Sequence, residues 1–371
     1  MSDLCKKWLD EKLSKLQSSE IYKAEKTNET IAKEYGLTSK EIVKLNYNEN
    51  LFIPREKVIP LLKEVADECD FRIYPQEEEA QLKQAISQYL QVSIDNITFG
   101  NSSDEVMERV IRIFLEKGNS AVTFTPTFTV FKYCVEYQGA KFVSVPLKED
   151  FSIDVENMRK AFTSDARLLY LCSPNNPTGN QLKPMEIEAL IEEFPGIVLV
   201  DEAYGEYADY SVIPLIKKYQ NLVVLRTFSK AFSLAGLRLG YAIANPRLAK
   251  ALDKTPAPYP VNVISLSMGR KMLENIGLMR ESVAALKQER GILINSLNKI
   301  KGVKAFDSKA NFVLFRTEKP YEQVYEAVLS KGLVIKKLGK LLNYENCLRT
   351  TVGLPEMNNK LLSVLKNYME E

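Results

Sequence analysis

The chain has 371 residues, 45% of them hydrophobic, which is too long for one small core and suits two unequal domains. Its 50 basic residues against 48 acidic ones leave a formal charge of +2, so there is no global attraction to nucleic acid or to an anionic membrane. Histidine is absent, which excludes Ser/His and Cys/His triads, HExxH zinc sites and every imidazole base, and leaves proton transfer to lysine, tyrosine or carboxylate.

Along the chain, the first twenty residues carry charges throughout and lack an uninterrupted apolar stretch, so they read as neither a signal peptide nor a membrane span, and the protein is expected to be cytoplasmic. Leu4, Trp8, Leu9, Leu13 and Leu16 recur at helical spacing and predict an amphipathic helix laid on the body of the protein or on a partner subunit. Residues 1–45 form an N-terminal arm in this reading. From residue 97, apolar β-rich runs at 97–100, 121–124, 141–145, 168–172, 197–201 and 222–226 alternate with helical patterns such as Asp104 to Glu116 and Pro184 to Phe194. That alternation predicts an α/β fold with a mainly parallel sheet covered on both faces, spanning residues 46–260.

The run TPAPYPV at 255–261, with three prolines, marks the approach to a second unit over 261–371, linked by a long helix near Met279 to Ile300. There the pattern predicts a strand at 311–316, a helix near Tyr321 to Ser330, strands at 333–336 and 347–352, and a closing helix from Pro355. The five cysteines are scattered and lack CxxC spacing, which argues against a disulfide framework and a thiolate metal site; no metal is expected.

Five motifs follow predicted strands. Lys230 lies in RTFSKAFSLAGLR (226–238), just past an apolar strand, where a desolvated amine near other cations acquires a depressed pKa and serves as a nucleophile. VDEAY (200–204) ends a strand on Asp201, whose burial costs several kcal/mol unless a cation or donor compensates. SPNNPTG (173–179) is a rigid turn presenting asparagine amides, and FGNSSDE (99–105) leads from a strand into a helix whose first free amides suit a phosphate. Phe128 follows the strand at 121–124 and places a ring at the same edge. Alone, each has an ordinary structural meaning: a solvated lysine, a turn, a capped helix, a core phenylalanine. Together they share the carboxyl edge of one sheet, where ligands bind in α/β folds.

On CSPNNPTG, VDEAY and FSKAFSLAGLR, supported by APYP (257–260) and LRTTVG (348–353), the sequence resembles fold-type I pyridoxal-phosphate enzymes, and within them the histidinol-phosphate aminotransferase branch, from about Leu45 onward. The resemblance implies that Lys230 holds pyridoxal 5'-phosphate as a Schiff base and moves the proton, that Asp201 pairs with the pyridine nitrogen, and that Asn176 and Tyr204 bond the ring hydroxyl oxygen. It further implies that Phe128 stacks on the ring, and that the phosphate rests on Ser102, Ser103, Asp104, Thr227, Ser229 and Arg238. Tyr74 in RIYP would reach it from the neighbouring subunit of a homodimer with shared sites. Arg349 would grip a substrate phosphate, helped by Tyr22 and Lys336, with Asn48 nearby. Histidinol phosphate as amino donor and 2-oxoglutarate as acceptor follow from the same resemblance, with neither nucleic acid nor membrane as a partner.

The sequence departs from the branch where Phe128 replaces a frequent tyrosine, where Lys336 replaces a frequent arginine, and where NEN lacks its following proline. An aromatic amino-acid aminotransferase and a threonine-phosphate decarboxylase-like lyase share most of these residues and remain the alternatives. A pyridoxal-phosphate-binding regulator is disfavoured, because about forty residues ahead of the enzyme-like part are too few for a DNA-binding module.

Overall fold

The computed structural model describes residues 3–18, 26–255 and 257–370, with side chains described for all of these except 15–18. In chain order the elements begin with α1 (Asp3–Ser18), α2 (Asn28–Tyr35), β1 (Val43–Lys44), α3 (Arg55–Glu68), α4 (Glu78–Leu90), β2 (Ile97–Asn101), α5 (Ser103–Phe114) and β3 (Ser120–Thr125). There follow α6 (Thr129–Gln138), β4 (Lys141–Pro146), α7 (Val155–Lys160), β5 (Ala166–Cys172), α8 (Pro184–Glu193), β6 (Ile197–Asp201), β7 (Leu222–Thr227), β8 (Leu239–Ala244) and α9 (Pro246–Leu252). The last third comprises α10 (Val263–Glu274), α11 (Ile276–Leu297), β9 (Val303–Ala305), β10 (Phe312–Thr317), α12 (Tyr321–Leu329), β11 (Leu333–Val334), β12 (Lys336–Leu341), β13 (Tyr344–Thr351) and α13 (Pro355–Glu370).

The large sheet has seven strands in the order β2-β8-β7-β6-β5-β3-β4. All run parallel except β8, which pairs antiparallel with both β2 and β7. Strands β5, β6 and β7 are apolar and almost wholly buried because helices cover both faces, the condition under which a strand loses its in-out alternation. Helix α5 starts where the Ser102 hydroxyl accepts the Asp104 amide, as an N-cap serine does, and α6 ends on Gly139 in the left-handed region. The expected α/β class with a mainly parallel sheet therefore stands.

The second sheet is antiparallel, in the order β12-β13-β10-β9, and is backed by α11 and α12, with α13 packed on these two helices. The strand predicted at 333–336 is two strands. β11 pairs parallel with β1, whereas β12 pairs antiparallel with β13, so the chain changes sheets at Ile335. Residues 28–44 lie against this C-terminal unit: Ile31, Ala32 and Ile42 form a small apolar cluster with Leu329 and Val334. Helix α1 exposes Leu4, Trp8 and Leu13. No helix among the described residues is long and apolar enough to cross a membrane.

Candidate active site

Four parallel strands and the turn after β2 deliver polar groups to one edge of the large sheet. Strand β6 ends on Asp201, which is 6% exposed. Its Oδ2 accepts the Tyr170 hydroxyl at 2.7 Å and its Oδ1 accepts the Ala203 amide at 3.0 Å. Burial pushes the carboxyl up to about 6, and the two donors restrain that rise. Lys230, half-buried in the turn after β7, donates from Nζ to the Tyr47 carbonyl at 3.0 Å and lies 5.8 Å from the centroid of the Tyr204 ring. Burial, reinforced by Arg349, lowers its ammonium to about 8 against the opposing pull of Asp104 and Glu49. Among the described residues neither Asp201 nor Lys230 forms an ion pair.

Tyr204 is buried, its hydroxyl accepts the Asn48 side-chain amide at 2.9 Å, and its ring meets Phe312 edge-on at 5.1 Å. Asn48 adopts φ +56° and is held by its backbone N–H on the Thr351 hydroxyl at 3.0 Å. Arg349, on β13, donates to the Asn176 side-chain oxygen and to the Asn46 carbonyl, the latter at 2.8 Å, and its guanidinium stacks 5.0 Å from the Phe312 centroid. Lys336 stands directly opposite Arg349 in the β12–β13 register. Two cationic residues are thus cross-strand neighbours, and the guanidinium of one of them, Arg349, reaches Asn176 at the large-sheet edge.

At the start of α5, Ser102 takes φ +80° and its buried hydroxyl bonds both the Asp104 amide and the Asp104 carboxylate at 3.1 Å. Gly240 of β8 is required beside it, because a Cβ there would come within 2.1 Å of the Ser103 nitrogen. Asp104 also pairs with Arg238 at 3.0 Å on a half-exposed rim. Thr227 accepts the Ser229 amide at 3.0 Å, and the Ser229 hydroxyl is buried without a protein partner.

Of the residues singled out from sequence, Ser102, Ser103, Asp104, Phe128, Asn176, Asp201, Tyr204, Thr227, Ser229, Lys230 and Arg238 all lie on or just beyond strand ends at one edge of the large sheet, and Asn48, Lys336 and Arg349 come to it from the other unit. Tyr74 is elsewhere: it is 69% exposed and stacks on Tyr259 at 4.6 Å. Tyr22 lies outside the described residues.

Sequence reasoning missed Tyr170, Asn46, the Tyr47 carbonyl and the buried cluster in which Arg226 bonds Glu202, Glu206 and Ser211 at 2.7–3.0 Å. A signal existed in the first case: a hydroxyl inside the otherwise apolar run LLYLC needs a buried acceptor.

Comparison with known proteins bears on the same residues. The model of the family described as aminotransferase class I and II matches residues 40–365. The histidinol-phosphate aminotransferase of Thermoanaerobacter pseudethanolicus is 36% identical over 327 residues, covering 88% of this chain and 93% of that protein. That of Bacillus subtilis is 34% identical over 364 residues, covering 95% and 98%. A crystal structure of the histidinol-phosphate aminotransferase from Sinorhizobium meliloti, in complex with pyridoxal-5'-phosphate, superposes with a TM-score of 0.84 at 25% identity and 96% coverage of each chain. With the matched span running from the segment that carries Asn48 through the strand that carries Arg349, the chain belongs to the class I and II aminotransferases, in their histidinol-phosphate aminotransferase branch.

Proposed function

We propose that this protein transfers an amino group between histidinol phosphate and 2-oxoglutarate, using pyridoxal 5'-phosphate held at the carboxyl edge of the large sheet. The residues fit that cofactor on three observations. Among the described residues the Ser229 hydroxyl and the Asn48 side-chain oxygen are buried without protein partners, as acceptors and donors awaiting a polar ligand would be. Gly240 lets β8 pack directly against the backbone at Ser102 and Ser103, which fixes the start of α5, whose first free amides favour an anion. A buried carboxylate and a half-buried amine lie at one sheet edge, and among the described residues neither is in an ion pair.

When bound, pyridoxal phosphate supplies a carbonyl that takes up an amine and a ring that accepts the electron pair left by a departing proton. Asp201 holds a carboxylate ready for a ring N–H at the floor. Asn176 and Tyr204 would hold the ring hydroxyl, and Phe128 would lie against the ring. Ser102, Ser103, Asp104, Thr227, Ser229 and Arg238 bind the phosphate. Lys230 Nζ, with its pKa lowered to about 8, has a usable neutral fraction near neutrality and carries the proton to and from the substrate carbon.

The observation that carries the substrate assignment is the pairing of Lys336 with Arg349 across β12 and β13. Two adjacent cations suit a phosphate dianion better than a carboxylate, and each charge-assisted bond contributes about 1.5–3 kcal/mol. Steady-state kinetics with histidinol phosphate, histidine, phenylalanine and threonine phosphate, each with 2-oxoglutarate, test it. The highest kcat/KM belongs to histidinol phosphate. A preference for phenylalanine makes the protein an aromatic aminotransferase, and release of carbon dioxide from threonine phosphate makes it a lyase.

The working unit is a cytoplasmic homodimer with shared sites. An exposed apolar patch of Phe71, Ile73, Tyr74 and Tyr259 supports this reading, as does the apolar stripe of α1. Mixing Tyr74→Ala subunits with Lys230→Ala subunits gives hybrid dimers with one doubly lesioned site and one intact site. Activity above that of either parent variant is expected, and an active monomer overturns the assignment.

A further inference from the structure

Tyr170 lies in the middle of β5, fully buried, and its ring stacks on Phe131 at 4.2 Å with 12° between planes. Its backbone is pinned as well, because the Thr123 hydroxyl donates to its carbonyl at 2.8 Å. The phenol is therefore held by a packed ring and a packed strand, and its one proton goes to Asp201 Oδ2 at 2.7 Å. The opposite carboxylate oxygen is fixed by the Ala203 amide at 3.0 Å. A carboxylate bonded through both oxygens to rigid donors cannot turn about its own axis, and its remaining lone pairs keep one direction.

We propose that Tyr170 is a positioning residue: its hydroxyl, clamped by Phe131, orients the Asp201 carboxylate toward the ring nitrogen of the cofactor and keeps it an acceptor. The inference rests on the reading that Asp201 pairs with that nitrogen. Tyr170 acts only through Asp201. A tyrosine that donates its single proton favours the ionised carboxylate, and this opposes the burial that drives the Asp201 carboxyl up to about 6. The other titratable groups facing this pair are Cys172 on β5, whose thiol burial keeps neutral, Glu202 beside Asp201, Asp104 on α5, and Tyr204, whose phenol burial also keeps neutral. Both neighbouring carboxylates push the same way as burial, so the phenol and the Ala203 amide alone restrain the rise.

The test is the pH dependence of cofactor affinity, from equilibrium dialysis of pyridoxal phosphate against the full-length protein between pH 5 and 8. The Lys230→Ala background removes the titration of the amine itself. In that background affinity falls on the acid side as Asp201 takes up a proton, and Asp201→Asn abolishes this part of the fall. Tyr170→Phe retains the ring and its stack, and it moves the midpoint upward by about one pH unit. In Phe131→Leu, which keeps the hydroxyl but loosens its seat, the midpoint moves the same way by less. If Asp201→Asn abolishes the fall but neither Tyr170→Phe nor Phe131→Leu shifts it, the Tyr170 proposal fails while the Asp201 reading stands. If Asp201→Asn leaves the fall unchanged, the Asp201 reading fails and takes the proposal with it. Should Tyr170→Phe not fold, Phe131→Leu decides alone.

Discussion

Glu202 and Asp201 are neighbours in sequence at the end of one strand, yet they belong to two kinds of buried electrostatics. Glu202 joins a closed cluster: Arg226 reaches it at 2.8 Å and Glu206 at 2.7 Å, while the Val212 amide and the Ser211 hydroxyl fill further acceptor sites on Glu202 at 2.7 Å each. The Arg226 guanidinium lies so close over Gly205 that a Cβ there would come within 2.7 Å of it. Asp201 and Lys230, by contrast, are partnered only by neutral donors and acceptors. Internal carboxylates share a cation where the fold must be fixed and are left without one where a ligand is to complete the site. The cluster ties the ends of β6 and β7 together, and so sets the spacing between Asp201 and the turn that carries Lys230.

The largest effect expected from this contrast is at Lys230. Lys230→Ala removes turnover by at least about four orders of magnitude, as for a group that acts on the reacting atoms, and the visible absorption of the cofactor-bound protein changes with it. Normal turnover in this variant sinks the assignment. Its stability should behave in the opposite way to its activity. The folded pKa of about 8 lies below the ordinary lysine value of 10.5, so between these values the unfolded chain binds more protons and stability of the cofactor-free protein rises with pH. That rise is lost in Lys230→Ala, as denaturant titrations at pH 8 and pH 10 will register.

Arg226→Met reverses the pattern. Removing the cation strands two buried carboxylates, and the unfolding free energy should fall by about 3–5 kcal/mol. A loss below about 1 kcal/mol in chemical denaturation would mean that the cluster is no more closed than the site. The smallest effect is at Arg349: Arg349→Ala should raise the Michaelis constant for histidinol phosphate by one to two orders of magnitude, about 1.4–2.8 kcal/mol, with a lesser change in kcat. An unchanged Michaelis constant removes Arg349 from substrate binding.

Much of this arrangement was legible in the sequence because it is local. The strands at 168–172, 197–201 and 222–226 are short apolar runs, each followed by a motif, and the carboxyl-edge rule places all three motifs together before any coordinate is known. What stayed hidden depends on contacts distant in sequence or on residues whose neighbours disguise them. Tyr170, with a hydroxyl inside an apolar run, signals the need for a buried acceptor, but which acceptor emerges only once β5 is laid beside β6. Arg226 and Glu202 lie inside the two motifs that drew attention to Lys230 and Asp201, and their ion pair spans 24 positions. The helices α3, α4 and α10 carry weaker patterns and pack chiefly on one another. The pairing of Val43 with Leu333 has no local signature, so the N-terminal arm could not be assigned to the unit it rests on.

That last pairing belongs to a longer seam. After β1 pairs with β11, the Leu45 carbonyl accepts the Thr351 amide at 2.7 Å, the Asn48 amide bonds the Thr351 hydroxyl, and the Asn311 side chain bonds the Asn48 carbonyl at 2.8 Å. Residues 43–48 are thereby stitched to the antiparallel sheet, although they are far from it in the chain. The Tyr47 carbonyl that accepts the Lys230 hydrogen bond, the asparagine that bonds Tyr204 and the cross-strand pair Lys336 and Arg349 all ride on this single raft. The raft behaves as one mechanical part: if it rocks against the large sheet, the anion clamp and the resting partner of the amine travel together, and neither can be repositioned without the other.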